Sequence, residues 1–189
     1  MTPHPEGGAP LVATPSQTVG PFFHLALGPG AAISAVHPAA SGRIALTVRI
    51  TDGQGAPVPD AMVEIWQAPP PAGDRSGAEV EPCGFGRLPT GQSGECTFDT
   101  VRPGRATDGR GGWHAGHINV CLFARGLLRQ LHTRLYFAGD PALGGDAVLD
   151  LVPADRRSTL LATPESGRTD RWLFHLRLQG PDETVFFDV

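Results

Sequence analysis

A two-residue alternation of apolar and polar side chains recurs along this chain and limits what it can fold into. In Arg43–Ile50 the apolar set is Ile44, Leu46, Val48 and Ile50, with Arg43, Thr47 and Arg49 between them. In residues 117–124 it is Ile118, Val120 and Leu122, with His117, Asn119 and Cys121 on the other side. Residues 130–138 place Leu131, Thr133, Leu135 and Phe137 on one face, and residues 171–179 do the same with Trp172, Phe174, Leu176 and Leu178. Side chains alternate across a strand, whereas a helix with this pattern would scatter its apolar groups around its axis. Each segment therefore reads as a strand with one face on a core. Ile44, Leu46, Val48, Ile65, Ile118, Val120, Trp172 and Phe174 are the expected buried set.

Weaker patterns add strands at 62–67, 94–101, 147–152 and 184–189, and a helical turn or two within 153–162. Glycine and proline, 25 and 19 residues, supply the punctuation between them. Asp52-Gly53 and Arg102-Pro103-Gly104 are turn signals. About eight short strands with turns between them imply an all-β chain of β-sandwich type. The expected organisation is an N-terminal arm and irregular segment over 1–42, then one sandwich unit over 43–189, with long loops at 68–83 and 105–112. The arm carries Thr14-Pro15-Ser16-Gln17-Thr18-Val19-Gly20-Pro21-Phe22-Phe23, whose prolines resist regular structure and whose phenylalanines need a surface to cover them.

The net charge of −4 argues against a nucleic-acid surface. The chain has no lysine, so every one of its 15 cationic side chains is a guanidinium, suited to carboxylates. Cys83, Cys96 and Cys121 are odd in number and lack C-x-x-C spacing, which excludes a disulfide framework and a zinc ribbon. No leader pattern or membrane-length apolar run is present, so a cytoplasmic protein is the expectation. No G-x-S-x-G elbow is found. His114, His117 and Cys121 form one candidate metal set, the basis of a self-sufficient metalloenzyme, although an unbroken strand would point His114 and His117 to opposite faces. A non-enzymatic β-sandwich binding module is a further reading.

Six stretches carry a resemblance that spans the chain in order: TPSQTVGP (Thr14–Pro21), VEIWQ (Val63–Gln67), TVRPG (Thr100–Gly104), HINVCLFARG (His117–Gly126), HTRLYF (His132–Phe137) and ETVFFD (Glu183–Asp188). Together they resemble the intradiol ring-cleavage dioxygenases, and more closely the alpha subunits of two-subunit members. The resemblance implies a β-sandwich and a non-haem ferric ion held by two tyrosines and two histidines, a hard cation matched to anionic phenolate donors. At the matching positions this chain has Arg75, Ala106, His117 and Asn119. One ligand of four survives, so the resemblance implies that this chain holds no metal and contributes no catalytic residue. The Fe(3+) would belong to a homologous beta subunit in an alpha–beta hetero-oligomer that cleaves 3,4-dihydroxybenzoate with O2. It further implies that Thr18, Gly20, Pro21 and Arg125 wall the partner's substrate pocket. Arg125 has independent merit: an arginine ending an apolar strand beside Gly126 offers a fixed cation at a rim.

Overall fold

The computed structural model describes residues 13–20, 27, 42–68, 84–107 and 112–189. Strands dominate. They are β1 (Arg43–Thr51), β2 (Met62–Trp66), β3 (Phe85–Pro89), β4 (Glu95–Val101), β5 (Ala106–Thr107), β6 (Trp113–His114), β7 (His117–Phe123), β8 (Leu131–Phe137), β9 (Leu161–Pro164) and β10 (Arg171–Arg177). The helical content among the described residues is small: a 3-10 turn at Pro141–Gly145, the short helix α1 (Ala147–Asp150) and a 3-10 turn at Arg157–Leu160.

Eight strands form one hydrogen-bonded series, β3-β2-β7-β8-β9-β10-β1-β4, while β5 and β6 pair with each other. The series folds over at β9. Its first two residues run parallel to β8, with Leu161 beside Tyr136 and Ala162 beside Phe137. Its last two pair antiparallel with β10, Thr163 opposite Leu173 and Pro164 opposite Trp172. One leaf is therefore β3-β2-β7-β8 and the other β10-β1-β4, with β9 as the shared seam. The β1–β10 pairing is parallel, Ala45 lying opposite Arg171.

The alternation read from the sequence fills the space between the leaves. Leu46, Val48 and Ile50 from β1, Ile118, Val120 and Leu122 from β7, and Trp172, Phe174 and Leu176 from β10 share one core with Val63, Ile65, Phe98, Leu135 and Phe137. All eight residues expected to be buried are in it. Full burial of one such side chain is worth about 1.5–3 kcal/mol, so the alternation is also the main energetic signal. The Asp52-Gly53 turn is as expected, with Asp52 Oδ1 accepting from the Gln54 and Ala56 amides at 2.9 Å each. Gly94 turns β3 into β4 at φ +71°, and a β-carbon there would lie 2.6 Å from the Ile50 carbonyl oxygen.

Several boundaries differ from the sequence reading. Residues 147–152 hold α1 instead of a strand, because Asp146 caps them: its carboxylate accepts from the Val148 and Leu149 amides. The helical turn expected in 153–162 is confined to Arg157–Leu160, and β9 follows it. The terminal stretch 184–189 is not a strand; it meets β8 at the His132–Phe187 bridge and where the Thr133 hydroxyl donates to the Val185 carbonyl at 2.7 Å. β3, β5 and β9 are not expected from the sequence, and β6 is a separate strand where the sequence reads as continuous with β7. β3 alternates weakly and β5, β6 and β9 are too short for periodicity to register.

A second, smaller core lies outside the first leaf, where Tyr136, Leu149, Val152, Leu160 and Ala115 pack together. Tyr136 reaches it because it is the outward neighbour of Leu135 and Phe137 on β8. Phe98, 1 % exposed, sits on the terminal strand β4 yet is fully inside the main core. Phe98→Ala should cost about 3–5 kcal/mol. Chemical denaturation should show a lower midpoint with an unchanged slope.

Candidate functional site

β7 carries the central positions. His117 opens it, and its Nδ1 lies 2.8 Å from the Ala115 carbonyl oxygen. A carbonyl only accepts, so Nδ1 bears the proton and the lone pair sits on Nε2. Burial lowers the His117 pKa, and the nearby Arg134 guanidinium opposes protonation further, although the Ala115 bond works the other way. The ring is thus neutral, the form a metal would take.

The remaining positions do not follow suit. Asn119 lies directly opposite Arg134 on β8 and Trp66 on β2. Directly opposed residues share a face, so a guanidinium stands beside the amide that occupies the second histidine's place. Ala106, on β5, is paired with His114 and offers only a methyl group. Arg75 lies outside the described residues. Tyr136, the chain's single tyrosine, approaches His117 with ring centroids 5.8 Å apart. Its hydroxyl donates to Asp146 Oδ1 at 3.0 Å, and burial pushes its pKa up to about 12. It is therefore a neutral phenol committed to a carboxylate. This donor set does not fit a ferric ion: one imidazole, one protonated phenol and an adjoining positive charge replace two phenolates and two imidazoles.

The alternative set of His114, His117 and Cys121 is only half assembled. His114 and His117 do not point to opposite faces as expected; their rings lie edge to face at 5.8 Å. The reason is a break between β6 and β7 at Ala115-Gly116. Gly116 is pressed against the Pro103 backbone, where a β-carbon would lie 2.2 Å from the carbonyl oxygen. Only glycine admits that approach, and the bend it permits swings the two imidazoles together. Cys121 sits further along β7, opposite Glu64 and His132. Burial, then the Glu64 charge, pushes its thiol up to about 12, so it is no thiolate ligand. Among the described residues, no group of three or more His, Cys, Asp or Glu side chains is placed to hold a metal ion.

Sequence reasoning missed the residue that organises this cluster. Asp146 is fully buried and accepts from the Tyr136 hydroxyl, from the Val148 and Leu149 amides on Oδ1, and from the Ala115 amide on Oδ2 at 2.9 Å. Burial favours its neutral form, but the Leu149 and Ala115 amides and the Tyr136 hydroxyl outweigh it and hold its pKa below the ordinary carboxylate value. His114 Nδ1 is 3.5 Å from Oδ2, without hydrogen-bond geometry. An aspartate just before a short apolar run was the available signal, as a helix cap.

The proposed substrate-facing residues lie at the other end of β7. Arg125 is eight positions beyond His117, about 26 Å along an extended chain. Its Nη2 lies 3.0 Å from Asp60 Oδ2, and its side chain is 61 % exposed. Thr18 comes to the same corner: its Oγ1 accepts from the Gly126 amide at 2.7 Å. Gly20 is exposed, and no heavy atom of the described chain lies within 4 Å of where its β-carbon would be. Pro21, Phe22 and Phe23 lie outside the described residues. Thr18, Arg125 and Gly126 are thus brought together, with Arg125 also holding an acidic partner.

Residues 35–180 match the family model described as "Dioxygenase". The chain is 42 % identical to the protocatechuate 3,4-dioxygenase alpha chain of Burkholderia cepacia, over 95 % of this chain and 98 % of that one. It is 34 % identical to the beta chain from the same organism, over 75 % of this chain and 66 % of that one. Its fold resembles the dioxygenase domain of a dioxygenase–carbohydrate-binding fusion from Streptomyces sp. SirexAA-E, with TM-score 0.57, 23 % identity and coverage of 96 % and 97 %.

Two arguments make Asp146 the stability test of this region. In Asp146→Asn, either amide orientation sets an NH2 against a backbone N–H, so about 1–3 kcal/mol should be lost at neutral pH. A carboxylate whose folded pKa is depressed contributes fully above its unfolded value near 4 and loses that contribution as pH falls through the folded value. Denaturation at pH 7 and pH 3 should therefore show a smaller acid-induced loss in Asp146→Asn than in the parent.

Proposed function

The chain belongs to the intradiol dioxygenase family, and from that premise we propose that it serves as the iron-free alpha chain of a protocatechuate 3,4-dioxygenase. In this reading it pairs with a homologous beta chain that carries Fe(3+). The assembly opens the ring of 3,4-dihydroxybenzoate with O2 to give 3-carboxy-cis,cis-muconate. The observation that carries the reading is similarity along nearly the whole of both chains to a protein named as an alpha chain. The donor set around His117 agrees with it, because Asn119, Ala106 and a protonated Tyr136 cannot replace what a ferric centre needs.

The chain's own contribution is at the Thr18–Arg125 corner. Thr18 pins the arm to the Gly126 amide, so the residues after it leave from a fixed point. Gly20 then gives the backbone room for close approach and Pro21 a rigid apolar wall with no N–H. Arg125 supplies positive potential to a substrate that carries a carboxylate. Its bond to Asp60 holds the guanidinium at the rim, and its exposure leaves it able to meet a ligand or a partner chain.

Arg125→Ala, co-expressed with the beta chain, should lower kcat/KM for protocatechuate by about 10- to 100-fold, the loss of one charged hydrogen bond of about 1.5–3 kcal/mol. Iron content and visible absorption should be unchanged, since no ligand is touched. A fully assembled variant with the parent's kcat/KM would reduce Arg125 to an interface ion pair. Failure to co-purify with any beta chain would overturn the subunit reading itself.

A further inference from the structure

The outer face of the second leaf holds a recess of about 300 Å³ where β10 meets the 3-10 turn that precedes β9. His175 and Arg177 of β10 line it together with Ser158, Thr159 and Leu161, and Asp182 completes the wall. We propose that this recess binds a small tetrahedral oxyanion, sulfate or the phosphate dianion, with Arg177, His175 and Ser158 as its donors.

Strand alternation sets His175 and Arg177 side by side outside the leaf, because Phe174 and Leu176 between and beside them lie in the core. Neutral groups brace Arg177. Its Nε donates to the Gln179 carbonyl at 3.2 Å and its Nη2 to the Gly53 carbonyl at 3.0 Å. Carbonyls fix a guanidinium in place without cancelling its charge. Its carboxylate neighbour is loose: Asp182 lies 3.9 Å from Nη1 with a side chain 83 % exposed, and such pairs are worth little. Arg49, opposite His175 on β1, is committed to Glu95 of β4 at 2.6 Å. Arg177 is thus a rigid cation whose charge is poorly matched.

His175 supplies a second positive charge on demand. Its Nε2 lies 3.0 Å from Thr51 Oγ1, which orients the ring. Burial, then the Arg49 and Arg177 charges, lower its pKa, so the ring is neutral at pH 7. A bound dianion reverses that field and favours the imidazolium, so binding takes up a proton. The Ser158 hydroxyl is a third donor, whereas Thr159 already donates to the Arg156 carbonyl at 2.8 Å. Guanidinium, imidazolium and hydroxyl outnumber the two oxygens of a carboxylate and suit an ion with more.

Isothermal titration of the full-length chain with sulfate, a dianion at both pH 6 and pH 8, tests this directly. One sulfate per chain is expected, bound several-fold more tightly at pH 6, where the proton for His175 is available. Phosphate at pH 8 should compete with it, and acetate should bind about tenfold more weakly. His175→Gln should still bind sulfate and should lose the pH dependence. Arg177→Gln should weaken sulfate about tenfold, and Asp182→Asn should tighten it by removing the competing charge. Arg129→Gln, at an exposed arginine 3.9 Å from Asp188, should bind as the parent does. Absence of saturable binding, equal affinity for acetate and sulfate, parental affinity in Arg177→Gln, or an unchanged pH response in His175→Gln would each overturn the proposal. If Arg177→Gln does not fold by circular dichroism, the pH response of His175→Gln decides alone.

Discussion

The carboxylate of Asp146 holds together parts of the chain that no strand ladder connects. It caps α1, takes the Ala115 amide that follows β6, and receives the Tyr136 hydroxyl from β8. A buried carboxylate with no partners would be prohibitively costly, so these contacts are mutually required. The arrangement turns a former strand face into a second core. It also settles the state of the lone tyrosine, because a phenol that donates to a carboxylate cannot at the same time be an anionic donor.

That interaction gives the region around His117 a polar tie made by the chain's own side chains. A ferric site neutralises charge and ties several elements to one point. Here the tie is made by hydrogen bonds to Asp146, and the positive charge comes from Arg134 beside Asn119. The sandwich itself depends on neither. Its stability rests on the apolar faces of β1, β7, β8 and β10, which meet between the two leaves, away from these polar groups.

Those apolar faces were legible in the sequence because strand periodicity depends on neighbours two residues apart. Ile118, Val120 and Leu122 could be placed before any contact was known, and so could Trp172 and Phe174. The chemistry of Asn119 and Ala106 was legible for a different reason: a neutral amide and a methyl group are poor donors to a hard cation wherever they lie. The proximity of His114 and His117 was not legible, since it depends on Gly116 meeting the Pro103 carbonyl from a distant turn. Nor was the role of Asp146, whose partners come from three separate segments. The partnership of Thr18 with Gly126 likewise spans most of the chain. Periodicity reports which face a residue is on, and only tertiary structure reports what that face meets.

The parallel pairing of β1 with β10 has a kinetic side. β1 can acquire β4 as soon as residues up to Val101 are available, but its other edge finds its mate only in Arg171–Arg177, near the end of the chain. Closing so long a loop is slow compared with forming hairpins. During synthesis, a strand whose apolar face and one backbone edge are both unfilled waits while much of the polypeptide is made, and such edges are sites of mispairing. The seam at β9 cannot protect it, because β9 needs β10 for its own second half. The β10-β1-β4 leaf is therefore completed last, and the period of greatest vulnerability for this chain ends only when β10 slots between β9 and β1.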